Sequence, residues 1–418
     1  MQYQLSFNRI FPILLSLIII LWIYLNYKLM IADVWDETNF LLYFYSTPQT
    51  LFEKIKFIWT SSDLGNIYRP LPISLAILII EPINNYELAW KVLRWTNVLL
   101  LLASLLFLLA ALHKWGIKNY QKLIFSIFFL YSSAAIISAS WFANMFDVST
   151  VFFISLGIFL ISLQQYIIAA LVLSLSFFCK EISVLLIPFL FILVLNTKLD
   201  FRQFTRMCLI IVTIAGIYWY LRLSYIPLGS EQDIHGFSTI QLLPTLQAYF
   251  ESFWWQTMKR DGMSLLGFIW LLVSLLALKG FINKAALIVL MMLSAIMYLG
   301  MFSYQNDVLM SHLNFVGRLY LVPMVLSLLM LIMWGRTSLF VILLMPVLWG
   351  AQQTYTNHRN FQIVYHQIYD LAQNSSDKLT IHYPEKPLND HIRKIEIGDY
   401  PQACFSIGMK TLKYKQCK

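Results

Sequence analysis

The apolar run FPILLSLIIILWIYL, residues 11–25, decides the fold of this chain. With its neighbours it fills residues 10–30, which is long enough to cross a lipid bilayer as a helix. Arg9 ahead of the run also fits a signal peptide. The bulky KLMI at residues 28–31, however, stands where a cleavage site would need small side chains. We therefore predict a first membrane helix that is retained.

The rest of the chain has the same character. Of its 418 residues, 59% are hydrophobic and only 12% are charged, and the mean hydropathy is +0.68. A soluble domain of this length would need more charge on its surface, so the composition indicates an integral membrane protein. We predict an all-α polytopic fold with about eleven transmembrane helices, near residues 10–30, 88–112, 122–140, 148–164, 166–179, 182–196, 207–224, 263–278, 285–302, 319–334 and 338–352.

The lysines and arginines of the short loops orient this fold. They gather on alternate connections, and the positive-inside rule places those connections and the N-terminus in the cytoplasm. Asp200 is the only acid on that side, so the other 20 of the 21 acidic residues lie outside or at the outer interface. The net charge of +9 reflects these loops and a basic tail, and gives no reason to expect nucleic-acid binding. The basic residues concerned are Lys114, Lys118, Lys122, Lys198, Arg202, Arg206, Lys279, Lys284 and Arg336.

Three predicted outer segments, residues 31–87, 225–262 and 303–318, are longer than simple turns. The cytoplasmic links are short, so we expect function on the outer face, carried by loops on a helical scaffold. Within the first loop, residues 50–61 predict an amphipathic helix on the membrane surface. Residues 71–80 are too short to span and predict an interfacial or re-entrant piece.

The polar C-terminal part, residues 353–418, predicts a small extracytoplasmic segment after a membrane domain of residues 1–352. Cys404 and Cys417 lie in this segment, outside the cytoplasm, where a disulfide is chemically possible. Two free thiols fit the sequence equally well, so both states stay open.

Charged side chains at the outer ends of the predicted spans are the candidates for chemistry, because a charge is costly there. The sequence has no GxxxxGK[ST], GxGxxG, HExxH or GxSxG motif, which disfavours ATP-driven pumping and zinc-protease chemistry. A site for an anionic lipid headgroup beside a catalytic carboxylate would need the acids and bases that fall on this one face. They are Asp36, Glu37, Asp147, Arg69, Lys180, Arg222 and Arg318, with Glu181 beside Lys180.

Each of these residues also has a structural interpretation. Asp36 and Glu37 can cap a following helix, and Arg69, fixed by the proline after it, can reach bulk lipid headgroups. Lys180 and Glu181 can form structural ion pairs. Neighbours on a helix do not face each other, so each of these two needs another partner.

Four short elements, taken in order and topology, resemble the GT-C glycosyltransferases. The likeness is closest to the branch of the protein O-mannosyltransferases and the aminoarabinose transferases. It covers about residues 10–335 and leaves out the tail. The elements are the acidic pair Asp36-Glu37, YRPLP at residues 68–72, the Lys180-Glu181 pair and GRLYLVP at residues 317–323.

The resemblance implies an inverting glycosyltransferase. Such an enzyme moves a hexosyl or pentosyl group from a polyprenyl-phosphate donor to a hydroxyl acceptor, which is a glycan, a lipid or a protein. Carried over by position, Asp36 is the general base and Glu37 supports it. The other implied roles are binding of the donor phosphate by Arg69, Lys180, Arg318 and, on placement alone, Arg222, and an acceptor or metal region at Asp147 and Glu181. No cofactor is certain, and a divalent metal ion is left open.

Two other interpretations stay open. A polytopic transporter or flippase of a lipid-linked or anionic substrate would carry its charges within the membrane, usually in duplicated halves, which the sequence does not show. An O-antigen polymerase or ligase is chemically close, but would have a dominant central outer loop. The expected location is the bacterial inner (plasma) membrane, with the N-terminus in the cytoplasm and the active site and C-terminus outside it.

Overall fold

The structure is a computed structural model, and α-helices dominate the part of the chain that it describes. The described residues are 2–29, 49–60, 68–83, 86–140, 144–187, 189–190, 193, 200–225, 275–289, 321–335, 344, 347–352, 354–356, 379–382 and 394–397.

The principal elements follow one another along these residues with short connections in the first half of the chain. In order they are α1 (Gln2–Leu29), α2 (Leu51–Thr60), α3 (Pro70–Ile80), α4 (Tyr86–Lys114), α5 (Asn119–Tyr131), α6 (Ser133–Ser140), α7 (Met145–Ser162), α8 (Tyr166–Leu175), two 3₁₀ turns (Ser176–Phe178 and Glu181–Leu185), α9 (Phe201–Tyr225), α10 (Leu321–Trp334), β1 (Leu379–His382) and β2 (Lys394–Ile397).

Among the described residues, four helices are long and apolar enough to cross a membrane. The spanning segments are Ile10–Lys28 of α1, Leu88–Lys114 of α4, Met145–Ser162 of α7 and Phe201–Tyr225 of α9. Helices α5 and α6 pass the same test together and are bent by 54°, so they add a fifth span if the pair is one broken helix. A helical fold with four or five helices able to span a membrane is thereby confirmed for the described residues.

These five positions coincide with spans that the sequence predicts, and two shorter apolar helices coincide with two more. The shorter helices are Tyr166–Phe178 and Leu321–Trp334. The predicted spans at residues 182–196, 263–278, 285–302 and 338–352 are described only in part. The total of eleven, the membrane orientation and the domain boundary at residue 352 therefore stay predictions.

The C-terminal segment departs from an all-helical chain. Strands β1 and β2 pair antiparallel, with Leu379 opposite Ile397 and His382 opposite Lys394. The all-α class therefore applies to the membrane part, and the tail contributes a two-stranded sheet. Cys404 and Cys417 lie outside the described residues, so a disulfide and two free thiols both stay open.

Helix α2 confirms the short helix predicted at residues 50–61. It begins with a capping box, in which the Glu53 amide donates to Thr50 Oγ1 (3.4 Å) and the Thr50 amide donates to Glu53 Oε2 (2.8 Å). The bond from the Thr50 amide is the main reason that the pKa of Glu53 lies below its usual value. Ile55 and Ile58 face the apolar core that α2 shares with α3.

Lys54 is a charged residue of α2 that is nearly buried. It is only 9% exposed, and its Nζ lies 3.9 Å from Glu81 Oε2, just past the end of α3. The reason is that α2 docks against α3, so a long lysine stem can pack along the joint while its ammonium reaches the acid. The position of α2 on a membrane surface stays a prediction.

Helix α3 confirms the short element predicted at residues 71–80. Pro70 and Pro72 lie in its first turn, where the fixed φ of proline suits a helix and its missing N–H leaves no unpaired donor. The turn at Glu81 and Pro82 follows its last residue. Eleven residues extend only about 16 Å, which is too short to cross a bilayer.

Helices α7 and α8 form an antiparallel hairpin that positions the candidate site. The connection turns at Gln164, whose φ of 62° is the one positive value for a non-glycine residue in the described part of the chain. Asp147 lies about as many residues before this turn as Lys180 lies after it. The register of the hairpin therefore brings the start of α7 to the end of the α8 segment.

Gly157 lets the two helices of this hairpin approach closely. A methyl group on its Cα would collide with the side chain of Leu173 on α8. We expect Gly157→Ala to destabilise the protein by about 1–3 kcal/mol because the packed interface must shift to make room. The measurement is the melting temperature of the purified protein in detergent.

Gly216 provides the matched control for this substitution. It lies within α9 and a methyl group there would meet nothing within 4 Å. Gly216→Ala should therefore leave the melting temperature unchanged or raise it slightly, since alanine favours a helix over glycine. Equal losses in the two variants would contradict the close packing of α7 on α8.

Candidate functional site

Four of the predicted site residues are described with their side chains, and each lies at the end of an element. Arg69 directly precedes α3, Asp147 is in the first turn of α7, Lys180 follows the 3₁₀ turn after α8, and Arg222 is in the last turn of α9. All four are less than 8% exposed. We call them the charged cluster.

The other predicted site residues lie beyond what the structure describes in full. Asp36, Glu37 and Arg318 are outside the described residues, and Glu181 is described only by its backbone, at the start of a 3₁₀ turn. Their predicted roles therefore stay predictions.

Asp147 and Lys180 form a buried ion pair. Lys180 Nζ donates to Asp147 Oδ1 at 2.5 Å, and the two side chains are 2% and 4% exposed respectively. The sequence requires a partner for Lys180 other than its neighbour Glu181, and Asp147 is that partner. The resemblance assigned the two residues to different regions of the site, and the structure brings them together.

The α-helix is interrupted just before Lys180 by serine side chains. Ser183 Oγ donates to the carbonyl oxygens of Ser176 and Lys180, both at 2.7 Å, and Ser176 Oγ donates to the carbonyl oxygen of Leu173. Short hydroxyl side chains compete in this way with regular helical hydrogen bonds. The chain therefore leaves the α8 helix as a 3₁₀ turn, which presents Lys180 to the start of α7.

Arg69 contacts the residue next to Asp147. Its guanidinium carbon lies 5.1 Å from the centre of the Phe146 ring, within the range of a cation–π interaction. The first turn of α7 thus touches both cations, Arg69 through Phe146 and Lys180 through Asp147.

Arg222 stands on the face of α9 that meets Tyr68. Tyr218, Arg222 and Tyr225 are spaced by four and three residues, so they share one helix face. Tyr218 donates from its hydroxyl to the Tyr68 carbonyl oxygen at 3.2 Å, and the Tyr225 ring stacks on that of Tyr68 with 5.5 Å between ring centres. The Arg222 guanidinium carbon itself lies 5.4 Å from the centre of the Trp219 ring.

Tyr68, which lies just before Arg69 and α3, forms hydrogen bonds with both α2 and α9. Burial, and to a lesser extent the neighbouring Tyr225, raises its pKa to about 12. Its hydroxyl therefore stays protonated at physiological pH and donates to the carbonyl oxygen of Trp59 at 3.4 Å. This bond links α2 to the chain just before α3.

Phe178 connects Tyr218 of α9 to Trp59 of α2. It lies two residues before Lys180, and its ring packs edge-on against Tyr218 with 5.5 Å between ring centres. On its other side it meets Trp59 at 5.6 Å. Aromatic contacts thus connect α2, the residue before Arg69, the turn after α8 and the end of α9.

The charged cluster combines three basic side chains with one described acid, Asp147, which pairs with Lys180. Arginine side chains suit an anion, and phosphate above all, because a guanidinium can hold two phosphate oxygens at once.

Sequence reasoning missed the aromatic residues that hold this cluster. The sequence analysis assigns no role to Tyr68, Phe146 or Phe178. A signal was present, since Tyr68 directly precedes Arg69 and Phe146 directly precedes Asp147. Sequence reasoning also passed over Arg94 in α4, which is buried and lies 5.2 Å from the Trp90 ring, because it stands in a long apolar run.

A metal region was left open at Asp147 and Glu181. Within the described residues, no group of three or more histidine, cysteine, aspartate or glutamate side chains is arranged to hold a metal ion. Asp147 is directed instead at Lys180.

Comparison of the chain with protein-family models, with curated proteins and with solved structures finds no match.

Proposed function

We propose that this protein is an inverting glycosyltransferase that moves a sugar from a polyprenyl-phosphate donor to a hydroxyl acceptor on the outer face of the membrane. The observation that supports the proposal is the charged cluster. Four segments contribute the buried side chains of Arg69, Asp147, Lys180 and Arg222. Lys180 pairs with Asp147, Arg69 lies on the ring of the neighbouring Phe146, and α9, which carries Arg222, meets Tyr68 beside Arg69.

The position of the cluster suits a donor that is dissolved in the bilayer. Its members lie at the ends of apolar helices, two of which, α7 and α9, are long enough to span. A phosphate on a lipid chain can reach such a place from the membrane without entering bulk water. No nucleotide is then needed on the outer side.

The cluster would act on the leaving group. As the bond between the anomeric carbon and the phosphate oxygen breaks, the electron pair and the growing negative charge pass to the phosphate. Guanidinium and ammonium groups already fixed in place stabilise that charge without reorganising, so no general acid is needed. Arg69 is the foremost candidate, since its guanidinium is seated on Phe146.

The other half of the reaction is assigned to the acidic pair. In this proposal the Asp36 carboxylate takes the proton of the acceptor hydroxyl while its oxygen attacks the anomeric carbon from the side opposite the phosphate. Glu37 supports Asp36, and Arg318 adds to the binding of the phosphate. One displacement of this kind inverts the anomeric carbon and releases polyprenyl phosphate.

The test is the release of polyprenyl phosphate from a panel of lipid-linked sugars by the purified protein with candidate acceptors. Arg69→Ala is expected to lower kcat/KM by about 10- to 100-fold, the usual value of a hydrogen bond to a charged group. Arg69→Lys should recover only part of the loss, because lysine cannot hold two oxygens in a fixed plane.

Arg202→Ala is the matched control, since Arg202 is an exposed arginine at the other end of α9. It should react at the wild-type rate. If the wild-type protein consumed no lipid-linked sugar with any acceptor, the proposal would be wrong, and transport of a lipid-linked or anionic substrate would be tested next by its movement across vesicles.

A further inference from the structure

Two successive residues in the first turn of α7 each touch a different cation of the charged cluster. The Phe146 ring lies under the Arg69 guanidinium at 5.1 Å, and Asp147 Oδ1 lies 2.5 Å from Lys180 Nζ. Arg69 comes from the start of α3 and Lys180 from the turn after α8.

We infer that Phe146 and Asp147 are positioning residues, which set the distance and direction between Arg69 and Lys180 so that both cations meet one phosphate group. The inference rests on the proposed function, because it takes the phosphate of a lipid-linked donor as the ligand. It assigns to Asp147 a role different from the acceptor or metal region that the sequence resemblance implied.

The surroundings of Lys180 support the role of Asp147. The lysine is only 1% exposed, and a buried ammonium without an opposite charge is strongly unfavourable. Asp147, itself 2% exposed, supplies that charge from a helix rather than from a loop. The ammonium can therefore stay at a fixed point in apolar surroundings, which a binding site for an anion requires.

The surroundings of Arg69 support the role of Phe146. An arginine side chain has many rotamers, and a guanidinium that binds a phosphate must be held in one plane. The aromatic face of Phe146 favours a single placement of the cation above it. Pro70 fixes the backbone immediately after Arg69, so both ends of the arginine are constrained.

The geometry of a helix explains why adjacent residues suit this task. Successive side chains of an α-helix point about 100° apart around its axis. Phe146 and Asp147 can therefore contact two different neighbours at the same end of α7 while sharing one rigid backbone. A change in the position of α7 would move both cations together.

The experiment measures binding of a short probe, farnesyl phosphate, to the full-length protein in detergent, with farnesol as the uncharged control. Phe146→Leu is expected to weaken farnesyl phosphate about three- to ten-fold, the scale of a cation–π contact, and to leave farnesol binding unchanged. Phe146→Tyr should recover most of the affinity. Phe152→Leu, a change of the same kind further along α7 whose ring contacts Phe107, should have no effect.

Double variants distinguish positioning from a general structural role. Once Arg69 is replaced by alanine, adding Phe146→Leu should change the affinity by less than about two-fold, because the residue acts through Arg69. The same result is expected for Asp147→Asn once Lys180 is replaced by methionine.

The outcomes separate the inference from the proposal that it rests on. If the wild-type protein bound farnesyl phosphate no better than farnesol, the proposed lipid-phosphate donor would be wrong. If it preferred farnesyl phosphate but the paired substitutions were additive, or Phe146→Leu lost farnesol equally, the positioning role would be overturned. The Phe146 measurements stand alone if an Asp147 variant does not fold.

Discussion

Asp36→Asn is expected to slow sugar transfer by about 10²- to 10⁴-fold, the usual contribution of a general base. Asparagine has nearly the same size as aspartate but cannot accept the proton of the acceptor hydroxyl. Because the donor phosphate is assigned to Arg69 and Lys180, the substitution should lower kcat and leave the affinity for farnesyl phosphate unchanged. The measurement is the initial rate at saturating donor, beside a binding curve for the probe.

Asp33→Asn is the matched control for this prediction. Asp33 lies three residues before Asp36 and is an acid of the same segment to which the resemblance assigns no role. It should keep most of the wild-type rate, and Glu37→Gln should fall between the two. A wild-type rate for Asp36→Asn, or a greater loss at Asp33, would mean that the base is another residue.

The long helices of this protein could be predicted from sequence because their signal is local. An apolar run of span length has few stable structures other than a membrane helix, so α1, α4, α7 and α9 lie where the hydropathy places them. Helix α2 could also be predicted from the sequence, because its apolar residues recur with helical spacing. Thr50 and Glu53 form the capping box at its start.

The form of the break in the helix before Lys180 was harder to predict from the sequence. The predicted spans end at residue 179 and begin again at 182, around Lys180 and Glu181. The rest of residues 171–195 is almost wholly apolar, so the hydropathy does not show the 3₁₀ form that the chain takes there. The end of the α-helix depends on the carbonyl oxygens to which the Ser176 and Ser183 hydroxyls donate. These hydrogen-bond partners depend on the folded backbone, and residue type alone does not predict them.

The charged cluster, too, could be predicted from the sequence only in part. That Arg69, Asp147, Lys180 and Arg222 occupy one end of the helices followed from topology, because each stands at the end of an apolar run. That Asp147 pairs with Lys180 depends on the tight turn at Gln164, which sets the register of the α7–α8 hairpin. The aromatic residues near the charges are typical of any membrane core. Their role in holding the charged side chains could be inferred only from the contacts in the structure.

Asp147→Leu is the stability change with the largest expected effect. Removing one partner of a buried ion pair leaves the other charge without compensation, which costs about 3–5 kcal/mol of the free energy of unfolding. Lys180, at 1% exposure, would be that charge. The measurement is the unfolding transition of the purified protein in detergent. The control is Asp200→Leu, which removes an exposed acid that caps the start of α9 by accepting from the Arg202 amide and whose loss should cost only about 1 kcal/mol.

The double variant Asp147→Leu/Lys180→Met separates the structural part of the pair from its proposed function. An apolar pair of similar volume is often as stable as the buried ion pair it replaces, so the double variant should recover most of the stability that Asp147→Leu loses. Its affinity for farnesyl phosphate should not recover, because the ammonium is gone. Recovery of both would show that Lys180 serves only to hold α7 against the segment after α8, and would leave Arg69 and Arg222 as the described cations for the phosphate. Recovery of neither would mean that the pair does not account for the instability of Asp147→Leu.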